Sequence, residues 1–407
     1  MLYFLILALV SATFATHILP VHWMVSGAVQ YLFFFIALKL FSENWIKLDE
    51  HRFLKNVFVT AFVIRLVYVV VIYALYIYWT GSPFEFEAAD AHFYDEFGYS
   101  ISNVGLLKAF AFADVNGVEY SDMGHPIFVA IVYSLFGHNV IVVRIFHALV
   151  SAYMCILIYR LTARNFGEMP ARYAAIIAML FHNFIYYCGL HLKETNMIFL
   201  TVLFLERADY ALRGHKFTFS SMVIPILSGF AIFFFRTVLG AVLWMAFFGA
   251  ILLSADRTMS TGRRIFIGFL MFLSAATMFT GKIENQVKEY WEAKDTNQSI
   301  SMEWRSTREG GNKLAKYGSA TLFAPAIFII PIPTMVNIDT QQNQMFQNGG
   351  FLEKDVLSFF VYIALSALIF RYKSWRRHLL ILLFIAGYLA VIAMSAFAMS
   401  ERFHLPA

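Results

Sequence analysis

The sequence predicts an all-α fold, a polytopic transmembrane helical bundle, and three observations carry that prediction. Of 407 residues, 60% are hydrophobic and only 14% charged, with a mean hydropathy of +0.66, which does not describe a chain dissolved in water. The apolar residues gather into runs of the length a helix needs to cross about 30 Å of hydrocarbon. Those runs are continuous and lack the ten-residue alternation of an outer-membrane barrel, so the backbone must satisfy itself within helices. A large soluble domain is excluded. A nucleic-acid partner is set aside as well, because the net charge of +5 comes from basic residues in short connections between apolar runs, where membrane orientation accounts for them. Cys155 and Cys188 both fall inside apolar runs and suggest neither a disulfide framework nor a thiolate metal site.

In chain order, spans are expected at residues 2–19, 24–41, 56–79, 139–159, 173–190, 195–212, 217–235, 238–253, 265–280, 352–370 and 379–399, about eleven in all. The first has the length of a signal peptide but no Lys or Arg ahead of its apolar stretch, and is read as a retained span. The short connections alternate in basic content. Those holding Lys47, Arg52 and Lys55, then Arg160, Arg164 and Arg172, then Arg207, Arg213 and Lys216, then Arg257, Arg263 and Arg264, then Arg371, Lys373, Arg376 and Arg377 are expected on the cytoplasmic side. Connections at 17–23, 189–193 and 236–237 carry few or no basic residues and are expected outside. A further apolar run at 322–336 would break the alternation if it crossed. Its Pro325, Pro331 and Pro333 remove backbone donors, so a re-entrant or interfacial segment is expected there.

Two large outer elements remain, 81–138 and 281–351. The first is acidic: Glu85, Glu87, Asp90, Asp95, Glu96, Asp114, Glu119 and Asp122 stand against the single Lys108. Within it Phe93, Phe97, Ile101 and Val104 recur at helical spacing, which predicts an amphipathic helix along the membrane surface. His125-Pro126 opens a second, with proline suited to a first helical turn. In the last outer element Ile283, Val287, Tyr290 and Trp291 suggest another surface helix, and the polar stretch 295–312 reads either as a mobile lid or as a connection without fixed structure.

Asp90 stands just ahead of the first surface helix, where two roles compete for its oxygens: capping the helix N-terminus, or serving as a general base whose proton affinity is raised by partial desolvation. A second group of charges lies at the outer ends of spans: Lys193 with Glu194, Arg236, and Arg402 with His404. Each cation alone is an ordinary interface anchor. Together they run against the positive-inside bias, which points to an anion bound on the outer face. Arg65 and Arg144 lie deeper in apolar runs, where charge is functional by default unless paired with Glu or backbone carbonyls. The sequence has no phosphate-binding G-x-x-x-x-G-K-[ST] loop, no dinucleotide fingerprint, no H-E-x-x-H and no C-x-x-C.

The strings ADAHFYDEFG, GHPIFVAIVYSLFG, VVRIFHALVSAYMCILIYRLTARNFG and FHNFIYYCGLHLKETNMIFL, in this order after an Arg-containing span, resemble the membrane-embedded glycosyltransferases of the C superfamily (GT-C). The likeness is greatest to the protein-mannosyltransferase and aminoarabinose-transferase branch. It covers residues 56–407, with 1–55 as two added N-terminal spans and their cytoplasmic loop. The resemblance implies an inverting glycosyltransferase of cell-envelope glycan biosynthesis, in the inner or plasma membrane. It would transfer a sugar on the extracytoplasmic face from a polyprenyl-phosphate donor to a lipid, glycan or protein acceptor. By position it implies Asp90 as the general base, with Asp95 or Glu96 as substitutes. Leu192–Glu194, the FFR ending at Arg236 and the ERFHLP string at 401–406 are similar to segments lining the family's donor-phosphate site, with Lys193, Arg236, Arg402 and His404 as the phosphate ligands. Glu87, Asp95, Glu96, His125 and Glu194 would support the site or the acceptor. Family members usually carry G-Y-P where this chain reads GHP, so His125 is a departure, and relatives often continue through a further span after the last string.

The chemistry agrees with the charges. A glycosyl phosphate brings its own leaving group, so a base for the acceptor hydroxyl and cations for the departing phosphate suffice. No cofactor is required; Glu87, Asp90, Asp95 and Asp122 could hold a divalent cation, but their spacing matches no ligand motif and no metal site is expected. Two other readings are a flippase for lipid-linked oligosaccharides, which would line a continuous path with Arg65 and Arg144, and a non-catalytic envelope-assembly subunit.

Overall fold

A computed structural model describes residues 17–18, 21–86, 88–213, 219–253, 336–337, 344–372, 374–393 and 406. They are helical apart from turns and one antiparallel bridge, His17–Ile18 with Val336–Asn337. Thirteen α-helices are described: α1 (Val21–Trp45), α2 (Glu50–Thr80), α3 (Ala89–Val104), α4 (Ala109–Val115), α5 (Gly124–Phe136), α6 (Val140–Phe166), α7 (Glu168–Leu180), α8 (His182–Cys188), α9 (Glu194–Leu212), α10 (Phe219–Phe233), α11 (Thr237–Leu253), α12 (Gln344–Ser366) and α13 (Leu379–Ala393). Among the described residues four helices are long and apolar enough to cross a membrane: Val21–Trp45, Glu50–Thr80, Val140–Phe166 and Trp375–Ile392. The chain is thus compatible with a membrane protein. The expected span 265–280, the surface helix at 283–291, the stretch 295–312 and most of 2–19 and 322–336 lie outside the described residues.

Local chemistry sets the helix ends. Asp49 caps α2, its carboxylate accepting the Arg52 N–H at 3.0 Å, and Gly81 closes that helix in the left-handed region, φ 72°, donating to Ile77 O. Asn139 caps α6 by accepting from Ile141 N–H at 3.2 Å. Two apolar clusters are the largest among the described residues. One is built by α1, α2, α6 and α7 around Phe53, Val57, Ala152 and Ile176. The other is built by α9, α10, α11 and α13 around Phe204, Leu243, Trp244 and Phe384. Packing of α6 against α9 joins them.

The bundle has two chemically distinct ends. At one, Arg164 reaches Glu206 at 2.7 Å and Asp209 at 3.1 Å, Arg213 reaches Asp209 at 3.0 Å, and Arg172 reaches Glu168 at 2.7 Å and the Ile46 and Leu48 carbonyls. His378 and Arg213 share the Asn165 side chain there. At the other end lies the acidic segment, where α2 finishes and α6 begins. Helix α11 runs antiparallel to α13, Gly249 meeting Leu383 and Val242 meeting Gly387, so α11 ends at the basic end. Helix α12 starts at the acidic end, where Phe346 meets Trp79.

Three expectations need correction. The span expected at 173–190 is broken: Phe181 leaves the helical region (φ −58°, ψ 118°) and separates α7 from α8. Buried side chains stabilise both sides of the break. The Arg65 guanidinium donates to Ala178 O and Met179 O, each at 3.0 Å, and these are last-turn carbonyls of α7 that have no partner within the helix. Glu353 accepts the first N–H of α8, from His182, at 3.1 Å. Second, the acidic-segment helix buries Ala91, Tyr94, Asp95, Phe97, Gly98 and Ile101, whereas Phe93 and Val104 are exposed. Its inner face is set by packing on α5, where Gly98 lies against Val129, so the four residues expected on one membrane-facing side divide between the protein interior and the surface. Third, the span expected at 352–370 belongs to a helix that starts at Gln344 and ends in a wider π turn, Ala367–Arg371.

Candidate functional site at the acidic end

The acidic segment is not a free loop; α3, α4 and α5 fold it into a cap tied to the bundle by several contacts, two of which join the GHP, LKE and FFR strings. The Gly124 N–H donates to Phe234 O at 2.7 Å, in the joint Phe234–Phe235–Arg236 between α10 and α11. Only glycine fits there, because a Cβ would stand 2.5 Å from the Phe235 ring and 2.9 Å from Phe234 O. The second contact is an ion pair between Lys193, just ahead of α9, and Asp122, in the 3-10 turn Tyr120–Asp122. These contacts bring GHP, LKE and FFR together. Arg236 is half-buried in the same joint and its Nη1 donates to the Tyr388 hydroxyl of α13 at 3.5 Å.

Asp95 is a buried carboxylate of the cap, as is Glu85. Asp95 accepts from the Tyr133 hydroxyl and lies 3.0 Å from His138 Nε2, while His191 Nε2 stands 3.9 Å away. The His138 side chain is 43% exposed and meets Asp95 through its Nε2 edge. Burial foremost, with Arg144, His147 and His138 adding to it, holds the His191 imidazole well below the usual histidine range. The His191–Asp95 contact is therefore one of neutral imidazole with carboxylate, and no ion pair is counted. His191 belongs to a fully buried cluster in which the His125 ring is 5.4 Å from His147 and 5.5 Å from His191. Tyr94 meets His125 edge-on at 5.0 Å, and Asn196 of α9 stands 3.4 Å from His147 Nε2. Arg144, also fully buried, donates to Pro83 O at 2.6 Å and lies 5.8 Å from the Tyr73 ring.

The residues expected at the site fare differently. Lys193 and Glu194 are buried at the start of α9, and His125 is buried at the start of α5. Asp90 and Glu96 are exposed on α3. The helix N-cap is Ala88, and Asp90 sits inside the first turn, so the capping role considered for it does not hold. Glu87, Arg402 and His404 lie outside the described residues. Sequence reasoning missed Tyr133, His138, His147 and His191, and considered Asp122 only as one of four carboxylates that could hold a divalent cation. A legible signal existed: five of the chain's 12 histidines, His125, His138, His147, His182 and His191, fall between positions 125 and 191, beside or within apolar runs. Among the described residues no group of three or more His, Cys, Asp or Glu side chains is placed to hold a metal ion. No family model matches the chain, and comparison with curated proteins and with solved structures finds no match.

Proposed function

We propose that this chain is an integral-membrane glycosyltransferase that moves a sugar from a polyprenyl phosphate to an acceptor hydroxyl at the extracytoplasmic boundary of the bilayer. One observation carries the reading: the acidic segment is held, through Asp122–Lys193 and Gly124–Phe234, against the end of the bundle that also bears Arg236. Carboxylates and cations thus share one end, as displacement of a phosphate by a hydroxyl requires. In this mechanism Asp90, water-facing at the start of α3, takes the acceptor proton. The acceptor oxygen attacks the anomeric carbon from the face opposite the phosphate, with inversion. Lys193 and Arg236, joined by Arg402 and His404, meet the charge that grows on the departing phosphate.

The topology belongs to the same proposal. The described residues enter the unassigned stretch at Leu253 at the basic end and leave it at Gln344 at the acidic end, which suits a single crossing at 265–280 with no crossing at 322–336. About eleven spans then put the acidic cap outside and the basic end in the cytoplasm. The flippase alternative draws less support. Arg65 is spent on Ser151 Oγ at 2.8 Å and three backbone carbonyls, leaving little of its guanidinium for a cargo.

The test is transfer from lipid-linked sugars by the purified protein. Asp90→Asn is expected to abolish product with the thermal midpoint unchanged; a fully active variant removes Asp90 as the base.

A further inference from the structure

The Asp122–Lys193 ion pair is unequal in burial, and the inequality has a direction. Lys193 keeps only 10% of its side-chain surface exposed, whereas Asp122 keeps 40%. A buried ammonium without a counter-charge is strongly destabilising, so Lys193 requires an anion at all times. The carboxylate is under no such constraint. It sits in a three-residue turn and can rotate into water at small cost. The turn itself stays docked, because Gly124, two residues on, is bonded to Phe234 O. An anion that reaches Lys193 therefore needs only to displace one side chain. The surrounding segment, residues 81–138, has Lys108 as its single basic residue, so a released Asp122 finds no other strong cation within it.

We infer that Asp122 is a built-in stand-in for an anionic ligand, occupying Lys193 at rest and exchanging with a phosphate group when one arrives. This rests on the reading of Lys193 as a phosphate ligand and adds a resting, self-blocked state to it. The exchange keeps the ammonium neutralised throughout. It also sets a threshold: weakly charged or neutral molecules cannot compete with a carboxylate already in place.

The experiment uses the full chain in detergent, with inorganic pyrophosphate and farnesyl phosphate as probes and farnesol as the uncharged control. Asp122→Asn, Lys193→Met and the double variant are compared by calorimetric binding and by thermal midpoint. Asp122→Asn is expected to melt below the wild type without anion and to recover with pyrophosphate. It should bind the probes about tenfold tighter, as follows when a competitor that fills the site nine times in ten is removed. In the double variant both effects should vanish. Tightening for farnesyl phosphate alone identifies a lipid headgroup as the ligand, and equal tightening for both probes identifies a free anion. Should Asp122→Asn fold only in the presence of pyrophosphate, that rescue is itself the expected result. Unchanged or weaker binding in Asp122→Asn, tightening that persists without Lys193, or misfolding that pyrophosphate does not rescue overturns the inference. Binding is read without turnover, so an inactive Asp90→Asn protein that still shows the exchange separates this inference from the assignment of the reaction.

Discussion

Arg65 shows what one fully buried charge does inside this bundle. Its guanidinium supplies donors to Ser151 Oγ, Ala61 O, Ala178 O and Met179 O, drawing α2, α6 and α7 together at a depth where water cannot replace it. Arg65→Met is expected to cost about 2–4 kcal/mol by leaving those acceptors unpaired. Arg65→Lys should restore only part, since a single ammonium cannot span the same set. Unfolding in detergent checks both, and a Met variant as stable as the wild type would contradict the structural role. His191 gives a residue-scale prediction in pH. Its imidazole is neutral in the fold, while the unfolded chain protonates near the ordinary value of about 6.5. Stability is therefore undiminished above that value and declines as pH falls below it, where the unfolded state binds the extra proton. His191→Gln should have a flatter stability profile between about pH 7 and 5. At this scale the sequence disclosed that Lys193, Glu194 and Arg236 were out of place for a membrane protein. It could not disclose Asp95 with Tyr133 and His138, which are 38 and 43 positions apart and meet only because α3 packs on α5.

Elements follow the hydrophobic pattern until a tertiary contact overrides it. The run 173–190 is apolar except for His182 and Asn183, which follow Phe181 but do not by themselves require a break there. The break exists because Arg65 and Glu353, 116 and 172 residues distant from it in the chain, satisfy the freed backbone groups on its two sides. The four apolar residues expected on one side of α3 divide between interior and surface for a related reason. A hydrophobic spacing identifies a helix, but the side turned inward depends on the surface it meets, here α5. The joint between the cap and the bundle gives the element-scale prediction. In Gly124→Ala the new methyl would collide with the Phe235 ring, which can rotate, and with Phe234 O, which cannot move without shifting the α10–α11 joint. The variant should lose about 1–3 kcal/mol and lose transfer activity together, because the acidic cap would detach from Arg236. Loss of stability with full activity would show that this tie does not position the site.

For the whole molecule, the arrangement of ends makes a labelling prediction. Cys155 and Cys188 are both fully buried, so the native protein offers no reactive thiol among the described residues. Leu107→Cys, on the acidic cap, and Lys47→Cys, at the basic end, are exposed positions on opposite ends. In intact cells an impermeant maleimide should label the first and reach the second only after permeabilisation. The reverse pattern would invert the proposed orientation.

The sequence by itself determined the helical class, the approximate positions of most described helices and the unlike chemistry of the connections, because length, composition and apolar continuity report a helix locally. Only the tertiary structure decided the broken helix, the inward face of α3, the burial of Asp95 among histidines and the pairing of Asp122 with Lys193. Each depends on which distant segment supplies a hydrogen bond or a counter-charge, and in a bundle that choice is made by packing between helices far apart in the chain.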